Sequence, residues 1–191
     1  MKFEDESTMR LYRQTVEDFG LYTGKELSEA EMKDLREAAG KMSAKMRAVR
    51  IVSASSVTKK DLEQRLVRKG EDPTQAREAV EWMSDLSLLD DAKVAEQVVH
   101  RCIAKGYGSA RARQALYEKR VPKAYWDDAL ADYPDMTEEI EEFLRSRLGG
   151  GYDEREVKRA IDALMRRGHG YPQIRSALNQ LRLEMDEFPE E

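Results

Sequence analysis

The chain carries little of what disulfide-bonded, membrane-spanning and metal-dependent proteins are built from. Cysteine occurs once, at Cys102, which excludes an internal disulfide and fits a reducing cytoplasm. Cys102 itself reads as a small apolar residue on a buried helix face. No run of about 18 apolar residues exists, so no segment is expected to span a membrane. The start, MKFEDESTMR, is acidic and polar and does not read as a signal peptide. Aromatic residues make up only 7% of the chain and charged residues 37%, a profile of helices with much surface rather than of an enzyme with a deep cleft. The two histidines, His100 and His169, lie far apart, so no zinc site and no cofactor are expected. His169 follows Gly168 and reads as a solvated turn residue. A Walker loop, a dinucleotide fingerprint and a nucleophile elbow are all missing. The glycine-rich GGGYDE has no strand before it and no Lys-Ser/Thr after it, so it reads as a linker. Asp90 and Asp91 read as a helix cap rather than a carboxylate dyad. Trp82 and Trp126 read as core. With no catalytic constellation, an enzyme is the least expected class.

What is present is helical period. From Ser28 to Ser53, Met32, Leu35, Ala39, Met42, Met46 and Val49 form one stripe, and Ser28 with Glu31 makes a capping box. Residues 1–27 read as a short helix and a turn. Thr58 with Asp61, Asp72 before Pro73, Ser109, Thr137 and Asp153 with Glu156 mark further helix starts. Gly70 and Gly168 mark stops, and Val121-Pro122 and Pro134 break helices.

Three stretches resemble one another: RLVRKGEDPTQAREAV, ALYEKRVPKAYWDDAL and ALMRRGHGYPQIRSAL. Gly70, Arg120 and Gly168 hold equivalent places, at spacings of 50 and 48, and Ala79-Val80, Ala129-Leu130 and Ala177-Leu178 keep the same offset. A period near fifty residues built from three helices predicts an all-α fold of tandem three-helix repeats stacked into an elongated array. The expected division is a leader region with a long helix over 1–56, repeats over 57–106 and 107–150, and a third, shortened repeat with an acidic tail over 151–191. The Gly149–Gly151 connector is expected to let the last repeat move.

Charge follows the repeat. The net charge of −5 hides alternating blocks: residues 41–69 hold nine basic and two acidic side chains, 70–98 two and eight, 99–123 seven and one, 124–148 two and eight, and 155–182 seven and two. Stacked in register, the basic first helices would line a positive stripe able to attract DNA or an acidic protein surface. The overall acidity argues for a partner whose charge pattern is matched to both stripes rather than for a general DNA coat.

The phrases TKKDLEQRLVRKG, LSLLDDAKVAEQVVHRCIAKGYGSARARQALYEKRVP and ALMRRGHGYPQIRSAL, in that order, resemble the RecX family of RecA regulators from about Val57 to Leu178. LYTGKELSEAEMKDLREAA resembles the leader region of that family. Two departures stand out: VSASSVTKK replaces an arginine-rich phrase, and His169 stands where a phenylalanine is usual. The resemblance implies a curved body of tandem three-helix modules, a monomer without catalysis or cofactor. It also implies binding in the groove of the RecA–DNA filament, with suppression of ATP hydrolysis, strand exchange and related activities. Contacts to acidic filament surface or to phosphates of single- or double-stranded DNA would fall to Arg111, Arg113, Lys119, Arg120 and Lys123 in the middle repeat and to Arg166, Arg167 and Arg175 in the last. Lys59, Lys60, Arg65, Arg68 and Lys69 form a secondary set. The alternatives are a DNA-binding array in the manner of helix-turn-helix modules and a helical scaffold joining two proteins.

Overall fold

The computed structural model describes residues 8–149 and 153–187. Gly150 and Gly151 of the connector, and the last four residues of the acidic tail, lie outside them. The described residues form ten α-helices: α1 (Arg13–Asp18), α2 (Glu29–Ala54), α3 (Lys59–Arg68), α4 (Pro73–Asp85), α5 (Asp91–Ile103), α6 (Ser109–Glu118), α7 (Trp126–Leu130), α8 (Thr137–Leu148), α9 (Glu154–Arg166) and α10 (Tyr171–Glu187), with a 3-10 turn at Lys123–Tyr125 before α7. The chain divides after Asp90 into two compact units. None of the helices is long and apolar enough to cross a membrane.

Local chemistry sets most helix starts. The Ser28 N–H donates to Glu31 Oε2 at 2.8 Å while the Glu31 N–H donates to Ser28 Oγ at 3.2 Å, the reciprocal box expected at the head of α2. Thr58 Oγ1 accepts the Asp61 N–H, Asp72 Oδ1 accepts from Thr74 and Gln75, and Asp153 Oδ2 accepts from Glu156. Two expected caps fall one residue off. Gly108 and Met136 hold the cap positions, so Ser109 and Thr137 open their helices from inside, and Thr137 is held by Asp135.

Helix ends repeat with one geometry. Gly70, Arg120 and Gly168 all take left-handed backbone, with φ of 91°, 55° and 88°. After each, the next N–H reaches back to the helix: Glu71 to Leu66 O, Val121 to Leu116 O, and His169 to Leu164 O. This is one glycine-type stop, shared by the three alike stretches and used also at Gly20, Ser87 and Gly106. In the middle copy a positive φ is imposed on arginine, which a side chain resists.

In the first unit, α3 and α4 pack against α2. Its core gathers Ala44, Ala48, Val57, Leu62, Leu66, Ala76, Ala79, Val80, Met83 and Leu89. The stripe expected on α2 holds at Leu35 and Ala39 but then shifts to Ala44 and Ala48, with Met42 and Met46 only half-buried. Small residues take the seam because α4 comes close: a side chain on Gly40 would meet the Gln75 amide. Below the seam, buried Glu71 accepts from Arg47 Nε at 2.7 Å and Ser43 Oγ at 3.0 Å.

The second unit has two cores. Val94, Val98, Val99, Cys102, Ala112, Leu116, Val121 and Leu130 close the first, between α5, α6 and α7. Trp126 packs against it, and its indole N–H donates to Val121 O at 2.9 Å. Ile140, Leu144, Leu148, Val157, Ala160, Leu164, Ile174 and Leu178 close the second, between α8, α9 and α10. The packing frame therefore starts one helix earlier than the sequence repeat suggests. Rather than ending a first repeat at 106, α5 faces α6 and α7, and the last module has all three helices. The resemblance between copies lies in the turn after the middle helix, so the eye places boundaries by that turn and not by the faces that meet.

Candidate functional site

The basic residues singled out from sequence fall in both units. In the first unit, Lys59, Lys60, Arg65 and Arg68 lie on α3, and Lys69 caps its end. Arg65 is committed to buried Asp61 at 2.8 Å, and the Lys69 carbonyl accepts from Arg47 Nη1 at 2.7 Å. In the second unit, Arg113 is exposed on α6, Lys119 caps that helix, Arg120 sits in the left-handed turn, Lys123 opens the 3-10 turn, and Arg175 is exposed on α10.

Arg111, Arg166 and Arg167 do converge. They wall a groove of about 430 Å³ with Tyr107, Phe143, Arg147 and Ala163. Phe143 and Arg147 stand four apart on α8 and so share a face. Ala163 and Arg166 come from the end of α9, and Arg167 caps it. Arg113, two residues from Arg111, falls on another face of α6. The Arg167 guanidinium lies over the Phe143 ring, its Cζ 4.6 Å from the ring centre, a cation–π contact. Arg111 Nη1 donates to Glu118 Oε1 at 3.1 Å, and Gln114 donates to the same oxygen at 3.3 Å. Those two bonds hold the Glu118 carboxyl below the usual carboxylate range. Among the described residues, Arg147, Arg166 and Arg167 make no salt bridge.

The groove is held by a backbone-to-backbone junction between the last two modules. The Gly108 N–H donates to Arg167 O at 3.0 Å. A Cβ on Gly108 would overlap the Gly168 carbonyl, and one on Gly168 would overlap the Arg111 backbone. Only glycine permits that approach. His169 seals it and corrects the reading as a solvated turn residue: it is 4% exposed, with Nε2 3.0 Å from Gly106 O. A carbonyl can only accept, so Nε2 carries the proton, and Nδ1 is buried without a hydrogen-bond partner. Burial pushes the imidazole below its ordinary pKa. The bond to Gly106 O opposes that, nearby Arg167 adds to it, and Glu139 works against it. Beside it, the Tyr133 O–H donates to Tyr107 O at 2.6 Å, with its pKa pushed by burial up to about 12.

Arg147 is the groove residue that sequence reasoning missed. It lies in the acidic block 124–148, and averaging over the block hid it. The available signal was Phe143-x-x-x-Arg147, an aromatic and an arginine on one helical face. Among the described residues no group of three or more His, Cys, Asp or Glu could hold a metal ion. The arrangement suits binding: four arginines line one concave volume, pre-set by a close backbone junction.

A family profile described as "RecX, second three-helix domain" matches residues 90–130, the span of α5 to α7. Regulatory protein RecX of Halorhodospira halophila is 31% identical over 133 residues, covering 68% of this chain and 83% of that protein. Regulatory protein RecX of Vibrio campbellii is 29% identical over 141 residues, covering 72% and 91%. A crystal structure of regulatory protein RecX shares the fold, with a TM-score of 0.68 at 18% identity over 93% of this chain and 91% of that one. The structure of RecX from Lactobacillus salivarius gives 0.64 at 21% identity, over 76% and 99%.

Proposed function

This chain belongs to the RecX family, and we propose that it regulates the RecA recombinase by binding in the groove of the RecA–DNA filament. In this reading it damps ATP hydrolysis, strand exchange and coprotease activity, and so acts in DNA repair, recombination and the SOS response without catalysis of its own. The observation that carries the reading is the 31% identity to a protein named for regulation, over most of both chains. The all-α modular fold and the alternating charge support it. Exposed Arg113, Lys123 and Arg175, with Lys119 and Arg120 at the turn after α6, meet acidic filament surface. Such contacts give specificity and a fast encounter more than raw affinity.

The test is DNA-stimulated ATP hydrolysis by the RecA of the same organism, with this protein titrated from far below the recombinase concentration. Inhibition at substoichiometric amounts is expected, because one bound molecule acts on a filament rather than on a single subunit. Replacing Arg113, Lys119, Arg120 and Lys123 together by glutamine should raise the half-inhibiting concentration at low salt by tenfold or more. No inhibition by the unaltered protein, even at excess, would remove the RecA reading.

A further inference from the structure

We infer that the groove walled by Arg111, Arg147, Arg166 and Arg167 is a phosphate-ester site that takes one phosphomonoester or two neighbouring phosphodiester groups. The inference does not rest on the RecA reading, since it follows from the chemistry of the groove alone.

Four guanidinium groups around one volume of about 430 Å³ repel each other. Within ion-pair distance the described residues supply one carboxylate, Glu118 on Arg111. Arg147, Arg166 and Arg167 make no ion pair there, in a molecule whose net charge is −5. An arrangement that concentrates like charge where the chain has acid to spare points to an anion from outside. Its shape discriminates further. A carboxylate is planar and is satisfied by one fork, whereas a phosphate offers acceptor oxygens in several directions. Forks here arrive from α6, α8 and the end of α9, so a tetrahedral oxyanion uses them all and a carboxylate does not. Volume agrees, because pockets for small ligands begin at about 300 Å³. Phe143 and the Arg167 guanidinium over it are both groups on which a nucleobase can stack.

Glu118 tunes the site. It is exposed and sits on Arg111 as an internal competitor, so an arriving phosphate displaces it at little cost. The junction at Gly108 and Gly168 holds Arg111 and Arg167 in place beforehand, which lowers the ordering cost of binding.

The experiment uses the full chain without recombinase. Binding is measured by calorimetry for ADP, and by fluorescence anisotropy for a twelve-nucleotide oligothymidine and for an acidic peptide. For whichever phosphate ligand binds, the double variant R147Q/R166Q should weaken binding by tenfold or more. The double variant R101Q/K158Q removes the same charge from exposed positions elsewhere in the unit and should change it by less than threefold. E118Q frees Arg111 and should tighten binding severalfold, a gain that misfolding does not produce. ADP binding competed by the oligonucleotide assigns free nucleotide phosphates to the site. Oligonucleotide binding without ADP binding assigns a strand backbone. Equal loss in both double variants would overturn the site, as would no gain from E118Q, or binding of the acidic peptide with neither phosphate ligand. Since no RecA is present, failure here leaves the ATP-hydrolysis test standing, and the reverse also holds.

Discussion

Three glycine-to-alanine substitutions separate the two demands made on glycine here, and their signs differ from a generic expectation. Gly70 has φ +91° with nothing within 4 Å of a built Cβ, so Gly70→Ala carries backbone strain alone, about 1–2 kcal/mol. Gly108 has φ −75° and no such strain. On entropy alone Gly108→Ala should stabilise by about 0.4–1 kcal/mol. Its Cβ, however, meets the Gly168 carbonyl and lies 2.6 Å from the His169 nitrogen, backbone atoms that cannot rotate away. Overpacking of about 1–3 kcal/mol, with the Gly108 to Arg167 hydrogen bond put at risk, reverses the sign. Gly168→Ala carries both terms, about 2–5 kcal/mol. The double variant at 108 and 168 should fall short of the sum by about 1–3 kcal/mol, because the junction is pushed apart only once. Each unit holds one tryptophan, Trp82 in the first and Trp126 in the second. Urea unfolding in a Trp82→Phe background therefore reads the second unit through Trp126. A Gly108→Ala protein as stable as its parent, or strict additivity of the pair, would refute the close approach.

The remaining predictions are shorter. His169 has its folded pKa below the unfolded value near 6.5, so the unfolded chain binds more protons between the two and stability rises with pH there. Its contribution is whole above about pH 6.5 and is lost as pH falls from that value through the folded pKa, with a slope no steeper than about 1.4 kcal/mol per pH unit. Thermal unfolding at stepped pH should show this in the parent, and His169→Phe should flatten it. Arg47→Met leaves buried Glu71 with Ser43 as its remaining side-chain donor and should cost about 1–3 kcal/mol in urea unfolding of the first unit, with Glu71→Gln in the same background recovering part. Arg120→Gly relieves a left-handed arginine and should stabilise the second unit by roughly 0.5–1 kcal/mol. If Arg120 meets the filament, the same change weakens inhibition of ATP hydrolysis, separating stability from activity.

Helix starts were legible because capping is local: Ser28 with Glu31, Thr58, Asp72 and Asp153 each need only the next two or three residues. The all-α class and the three alike stretches were legible for the same reason, since a helix stop is written in one residue and its neighbours. What faces what is not local. Alanine at 44 and 48 reads as neutral in a stripe of methionines, and only the approach of α4 makes it the better fit. His169 reads as a loop residue until Gly106, sixty-three residues away, comes to it. Of the basic residues, Arg166 and Arg167 were found with Arg111 because they stand in basic blocks. Arg147 escaped because the arginines it gathers with lie across the fold rather than beside it along the chain.

The order of the cores along the chain has a consequence for synthesis. Residues 44–89, 94–130 and 140–181 close three cores one after another, each from helices that are neighbours in sequence. Local contacts of this kind form fast, so each module can collapse while the next is still being translated. The junction at Gly108 and Gly168 breaks that order, since its two halves leave the ribosome about sixty residues apart. The arginine groove therefore closes only once the last module is being made. A nascent chain stalled before Gly168 holds Arg111 and Arg147 but lacks the surface that gathers them, so an unfinished copy cannot compete for the ligand of the finished one.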